Sequence, residues 1–150
     1  MQLRRLLVPV DYSEHAERVL AHAAELAAAV GAEVHALHVW ECMPNAPASL
    51  LVQTPEGPRK LGDLVRETAE RDMIEFLAKV TLPEGVRVTH ALASGEPTKA
   101  LLEAAARADV DLIVMGTHGR TGLKHAVLGS VAEKLVRLSP KPVLVVPLRA

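Results

Sequence analysis

Apolar residues along the chain alternate between continuous runs and three-to-four-residue steps, and each switch marks an element. Leu3 to Val10 is a short run of Leu and Val that reads as a buried strand. From Ser13 onward, Ala16, Val19, Leu20, Ala23, Ala27 and Val30 form a helix stripe, with Ser13 as N-cap and Gly31 just past the end. Val34 to Trp40 reads as a second strand. Glu41 to Lys60 carries Pro44, Pro47, Pro55, Pro58 and Gly57, and predicts an irregular excursion rather than an element. Helical spacing returns with Leu61, Leu64, Val65, Thr68, Asp72, Met73, Phe76, Leu77 and Val80, until Pro83 and Gly85 break it. Val86, Val88, His90 and Leu92 alternate with Arg87, Thr89 and Ala91, the pattern of a half-exposed strand.

Ser94-Gly95-Glu96-Pro97 opens a third helix, with Pro97 in its first turn and a stripe of Leu101, Leu102, Ala105 and Ala108. Asp111 to Met115 is a fourth, almost wholly apolar strand. A glycine-containing stretch, Gly116 to Val127, leads to a helix from near Ser130 to Leu138. Val143 to Val146, fenced by Pro142 and Pro147, is the fifth strand. Five strands alternating with four helices predict a βαβ series and a parallel sheet. Right-handed crossovers place helices on both faces, giving an α/β doubly wound fold. The first and fourth strands are apolar on both faces and belong in the centre, whereas the alternating third belongs at an edge. The expected order is 3-2-1-4-5, in one domain covering residues 1–150.

Composition removes several classes of function. Seventeen basic against 18 acidic residues give a net charge of −1, so neither nucleic acid nor an anionic membrane is the expected partner. Leu26 to Val30 is the longest unbroken apolar run, far short of the ~18 residues of a membrane span. Met1 to Arg5 leads straight into the first strand without a signal-peptide pattern, so a cytoplasmic location is expected. Cys42 stands alone, which excludes an internal disulfide framework and a cysteine-based zinc cluster. Tyr12, Trp40 and Phe76 are the only aromatic residues besides histidine, too few for a base-stacking platform.

In doubly wound sheets, ligands bind beyond the carboxyl ends of the strands, where the winding direction reverses. Here that is between Asp11, after the first strand, and Met115, ending the fourth. The loop that follows is rich in glycine: Gly116-Thr117-His118-Gly119-Arg120-Thr121-Gly122. Ten residues beyond Gly119 stands Gly129-Ser130, at the start of a helix, completing a G-x2-G-x9-G-S pattern. Glycine permits unusual backbone angles and lets main-chain amides approach a ligand without a Cβ. A helix N-terminus supplies unpaired N–H groups and partial positive charge for an anion. Ser130 adds a hydroxyl donor, and Arg120, Lys124 and His125 lie close in sequence. Other phosphate motifs fit badly: the glycines are spaced GxxGxxG rather than GxGxxG, and Gly57 to Gly62 is followed by Asp63, not a P-loop lysine.

These segments together resemble the universal stress protein family, specifically its ATP-binding branch. The resemblance runs the length of the chain: Val8-Pro9-Val10-Asp11 with Ser13, Gly95-Glu96-Pro97, Val114 to Arg120, Gly129-Ser130, and Pro142 to Val146. It implies a Rossmann-like fold of the adenine nucleotide alpha hydrolase group and a nucleotide-dependent regulatory role in the stress response. It further implies that Asp11 and the backbone of Val39 meet adenine or ribose, that Pro9 and Gly116 flank the ribose, and that Gly119, Gly129, Ser130 and the Val131 amide hold the phosphates. Val10, Met115, Thr117, His118 and Arg120 fall within the same matching segments and join this ligand-binding set. Mg or Mn commonly accompanies ATP in the family; with no carboxylate pair dedicated to metal, any ion is expected on phosphate oxygens and water.

Other residues carry weaker signals. Ser13 can cap the first helix, which leaves Asp11 for the ligand. His15, His22, His35 and His38 have no Cys or acidic companions at metal spacing and read as structural or surface histidines. The 41–60 segment is either a mobile cover over the adenine side or an inert excursion. Val143 to Val146 is an edge strand without protecting charge, which predicts a homodimer, as the resemblance also does. No strongly catalytic set is visible, so ATP hydrolysis is expected to be slow at most. A phosphorelay receiver would need acidic residues that Tyr12 and Ala91-Leu92-Ala93 do not supply. An adenine-nucleotide hydrolase or adenylating enzyme is the alternative reading, but Asp11-Tyr12-Ser13-Glu14 lacks the glycine such enzymes carry after the first strand. A purely structural dimerisation module would bind no nucleotide.

Overall fold

The computed structural model describes residues 1–43, 45–118 and 128–147. Seven strands and four helices follow in the order β1 (Arg5–Pro9), α1 (Glu14–Val30), β2 (Glu33–Trp40), β3 (Leu51–Thr54), β4 (Gly57–Lys60), α2 (Leu61–Lys79), β5 (Val88–Ser94), α3 (Pro97–Ala105), β6 (Leu112–Gly116), α4 (Ser130–Leu138) and β7 (Val143–Val146). Five strands form one sheet ordered β5-β2-β1-β6-β7, with every neighbouring pair parallel. That is the expected 3-2-1-4-5 order. Among the described residues, no helix is long and apolar enough to cross a membrane.

Strand alternation divides the core into two layers. Leu6 and Val8 of β1, with Leu112 and Val114 of β6, pack under Val19, Leu20 and Ala23 of α1 and Met73 and Phe76 of α2. Leu7, Ile113 and Met115 point the other way, against Leu101 and Ala105 of α3 and Ala132 and Leu135 of α4. Successive strand residues face opposite sides, so a strand covered on both must be apolar throughout. β1 and β6 meet that demand and stand adjacent at the centre.

Caps fix where the chain enters and leaves each helix. The Ser13 hydroxyl accepts the Ala16 N–H at 3.1 Å to start α1, and Gly31 ends it in the left-handed region at φ 72°. Glu96 starts α3 by accepting the N–H groups of Thr98 and Lys99, which hold its carboxyl below the usual range. Asp111 does more than bound a turn. Its Oδ2 accepts the main-chain N–H of Arg4 at 2.8 Å and of Arg5 at 3.1 Å, tying the entry of β6 to that of β1.

Three expectations need correction. The 41–60 segment contains an antiparallel hairpin, β3–β4, which feeds directly into α2. Pro58 is the proline within its strands, and it does not prevent pairing because a strand of a two-stranded ribbon is open on one side. β5 lies at the edge as expected, yet Val88 to Ala93 are all half-buried instead of alternating, since α2 and α3 flank it on opposite faces. On α2, Met73 and Phe76 are buried as the stripe predicts, but Thr68 is exposed and its neighbour Ala69 is buried in its place.

Candidate functional site

The site begins where β1 and β6 end side by side. α1 leaves β1 towards one face, and α4 approaches from the other. The crevice between them, about 320 Å³, is of small-ligand size. Pro9, Val10 and Asp11 line it from β1, Val39 from β2, Met115, Gly116, Thr117 and His118 from β6 and its exit, and Gly129, Ser130 and Val131 from the start of α4. The structure therefore brings eleven of the sequence-derived site residues to one crevice. Gly119 and Arg120, together with Lys124 and His125, lie outside the described residues.

Two of the glycines act through their missing side chains. Gly129 has φ −68° and ψ 162°, angles any residue adopts, so no left-handed turn explains it. It is the N-cap of α4, where among the described residues no side chain supplies a capping hydrogen bond, and its own N–H donates to the Thr117 carbonyl at 2.6 Å. The first-turn amides of α4 consequently open onto the crevice wall formed by Ser130, Val131 and Ala132. Gly116 is required by close approach: a Cβ there would come closer than 3.0 Å to the His15 ring and 3.3 Å from Val19 Cγ2.

Asp11 and Tyr12 shape the opposite wall. Asp11 Oδ1 accepts both the main-chain N–H of Ser13, at 3.0 Å, and its hydroxyl, fixing the turn that starts α1. Between them Tyr12 sits at φ 64°, a left-handed conformation that costs a non-glycine residue energy. Its ring stacks on His38 with centroids 4.2 Å apart, and its hydroxyl donates to the Ala69 carbonyl of α2 at 2.7 Å. His38 Nδ1 donates to the Val10 carbonyl at 2.7 Å. The strained turn is thus clamped from β2 and from α2.

Pattern reading missed His15 and His38 as crevice residues, along with Ser13, Leu37, Pro97 and Leu101. For His15 a signal was present: it precedes Val19 by four residues and so falls beside the buried stripe of α1. Burial pushes its pKa below the ordinary histidine value; Asp11 pulls the other way, while Arg18 and His118 add to the lowering. Among the described residues, no group of three or more His, Cys, Asp or Glu side chains is arranged to hold a metal ion.

A second, larger groove of about 830 Å³ lies at the amino ends of the strands. Many of its charges are already paired: Arg5 with Glu33 and Asp109, Arg87 with Glu33, and Asp111 with the main chain. The crevice at the carboxyl ends, with open helix amides and an apolar floor, is the better ligand site despite its smaller volume.

Residues 2–147 match the model of the universal stress protein family. The chain belongs to that family. Curated relatives include universal stress protein YxiE of Bacillus subtilis, 35% identical over 147 residues covering 95% of this chain and 97% of that one. Universal stress protein MJ0577 of Methanocaldococcus jannaschii is 33% identical over 153 residues, covering 95% and 94%. The solved structure of MJ0577 superposes with a TM-score of 0.77 at 29% identity, covering 100% of this chain and 99% of that one. A universal stress protein from Archaeoglobus fulgidus, solved in complex with dAMP, has the same fold at 24% identity and a TM-score of 0.61. It covers 97% of this chain and 98% of that one.

Proposed function

We propose that this universal stress protein binds an adenine nucleotide, ATP in the first instance, in the crevice between β1 and β6, and that occupancy regulates its interactions. The observation that carries the reading is the convergence of uncapped α4 amides, the Ser130 hydroxyl and two side-chain-free glycines on one crevice at the switch point of the sheet. Helix N-terminal amides favour an anion through hydrogen bonding and the helix dipole together. The phosphates lie against Gly129, Ser130 and Val131, with Thr117 and His118 opposite; Gly119 and Arg120 complete the loop in this reading. Ribose occupies the middle, between Asp11, Pro9 and Gly116, beside Val10 and Met115. Adenine lies towards Val39, where Leu37, Pro97 and Leu101 add apolar wall.

Binding of dAMP is a property of that Archaeoglobus protein; for this chain the support is its own crevice. Mg²⁺ or Mn²⁺ would arrive on the phosphate oxygens and keep its water ligands. No residue is assigned to catalysis, and hydrolysis is at most slow. The protein acts in the cytoplasm as a homodimer paired through Val143–Val146, where Leu144 of the sheet edge is 43% exposed.

The test is retention of small molecules on denaturation of the purified protein, read by mass spectrometry in wild type and Gly129→Val. Adenylate is expected from wild type and should be lost from the variant, whose side chain occupies the phosphate position. Equal retention in both would refute the phosphate assignment.

A further inference from the structure

Read from sequence as a structural or surface histidine, His15 is half-buried in the structure and lies on the crevice side of α1. Its ring lies across Gly116 at the floor of the crevice. Both ring nitrogens are buried, and neither has a hydrogen-bond partner among the described residues. A buried polar atom without a hydrogen bond is destabilising, so natural cores rarely tolerate two on one ring without a reason. Gly116 makes room for this ring and no larger neighbour: any Cβ there would collide with it. A merely space-filling residue would be apolar, as Val19 is one turn further along the same face.

We infer that His15 is a ligand-contacting residue whose ring nitrogen hydrogen-bonds a phosphate oxygen of the bound nucleotide, opposite the amides of α4. The inference rests on the nucleotide reading above and extends it to a residue from α1, on the far side of the sheet from α4. Three charged or titratable groups act on the ring electrostatically. Asp11 comes from the turn after β1, Arg18 from the next turn of α1, and His118 from the exit of β6. His118 also lines the crevice, so a phosphate arriving there meets His15, His118 and helix amides together. Burial favours the neutral ring, which has one N–H to donate, and an adjacent phosphate favours uptake of a second proton. Phosphate-bearing ligands should therefore gain affinity on mild acidification, and adenosine should not.

Isothermal titration of the full chain with adenosine, AMP and ATP, at about pH 6 and about pH 8, separates these cases. Wild type should bind ATP more tightly at the lower pH, with adenosine unchanged. His15→Phe should weaken ATP about tenfold, the value of a hydrogen bond to a charged group, abolish the pH response and weaken adenosine much less. His15→Gln, which keeps a donor, should recover part of the loss. Nuclear magnetic resonance of the wild-type imidazole nitrogens supplies a readout independent of any variant: the His15 signals should move with ATP and not with adenosine. Unchanged ATP affinity in His15→Phe, or signals indifferent to ATP, would overturn this inference alone. Wild-type protein giving heat with neither adenosine nor ATP would overturn the nucleotide reading beneath it.

Discussion

At the scale of single residues, the crevice depends on a few backbone positions that side chains would disturb. Gly116→Ala drives a methyl into the His15 ring, which has Val19 behind it. Overpacking of this kind costs about 1–3 kcal/mol, to be read as a lowered midpoint in denaturant. The double variant with His15→Ala should recover much of that loss, and failure to recover would place the strain elsewhere. Tyr12 is the complementary case, a side chain holding a backbone angle it disfavours. Tyr12→Phe removes the hydroxyl that donates to Ala69 but keeps the ring on His38. The expected loss is about 1 kcal/mol, measured by urea unfolding. Asp11 shows why a sequence motif understates its residues: the same carboxylate that faces the crevice also builds the turn positioning α1.

Elements were legible where their burial is uniform. The continuous apolar runs of β1 and β6 identify central strands, because both faces must be covered, and the three-to-four spacing of α1 is reproduced from Ala16 to Ala27. α4 follows Gly129 at Ser130, since a glycine with open amides is a sharp start. The hairpin β3–β4 was hidden because four prolines between residues 41 and 60 outweigh four-residue strands in any reading of local pattern. At the other edge of the molecule, β7 pairs with β6 on one side only. An edge strand with Leu144 exposed and no charge between Val143 and Val146 invites pairing with a second chain. Light scattering at micromolar concentration should give a dimer mass, and Leu144→Lys should shift it to monomer. A monomer in wild type would remove that part of the account.

For the whole molecule, topology decides more than any motif. The five-strand order brings the ends of β1 and β6 together from positions more than a hundred residues apart, and no local pattern states that Asp11 and Gly116 share a crevice. The doubly wound order does, which is why the candidate site could be read from sequence once the order was known. What was harder to read was depth: His15 stands beside the buried stripe of α1, but His38 is identified as a crevice residue only by which way its strand faces. The fold also sets a pH response. Burial lowers the pKa of His15, and burial followed by Arg5 and Arg107 lowers that of His35. Both are favoured neutral in the fold, whereas the unfolded chain takes up protons near the ordinary value of 6.5. Without nucleotide, stability should be level above that pH and decline as pH falls below it, towards the lower folded values. Thermal midpoints between about pH 5 and about pH 8 should show this, and the decline should flatten in a His15→Gln, His35→Gln variant.

The central claim is that main-chain amides at the start of α4 and the strand ends at Asp11 and Gly116 together hold an adenine nucleotide. Titrating ATP into nucleotide-free protein by calorimetry tests it most directly. One ATP per chain with saturable heat, suppressed in Gly129→Val, is the predicted result. A flat titration from correctly folded wild-type protein would contradict it.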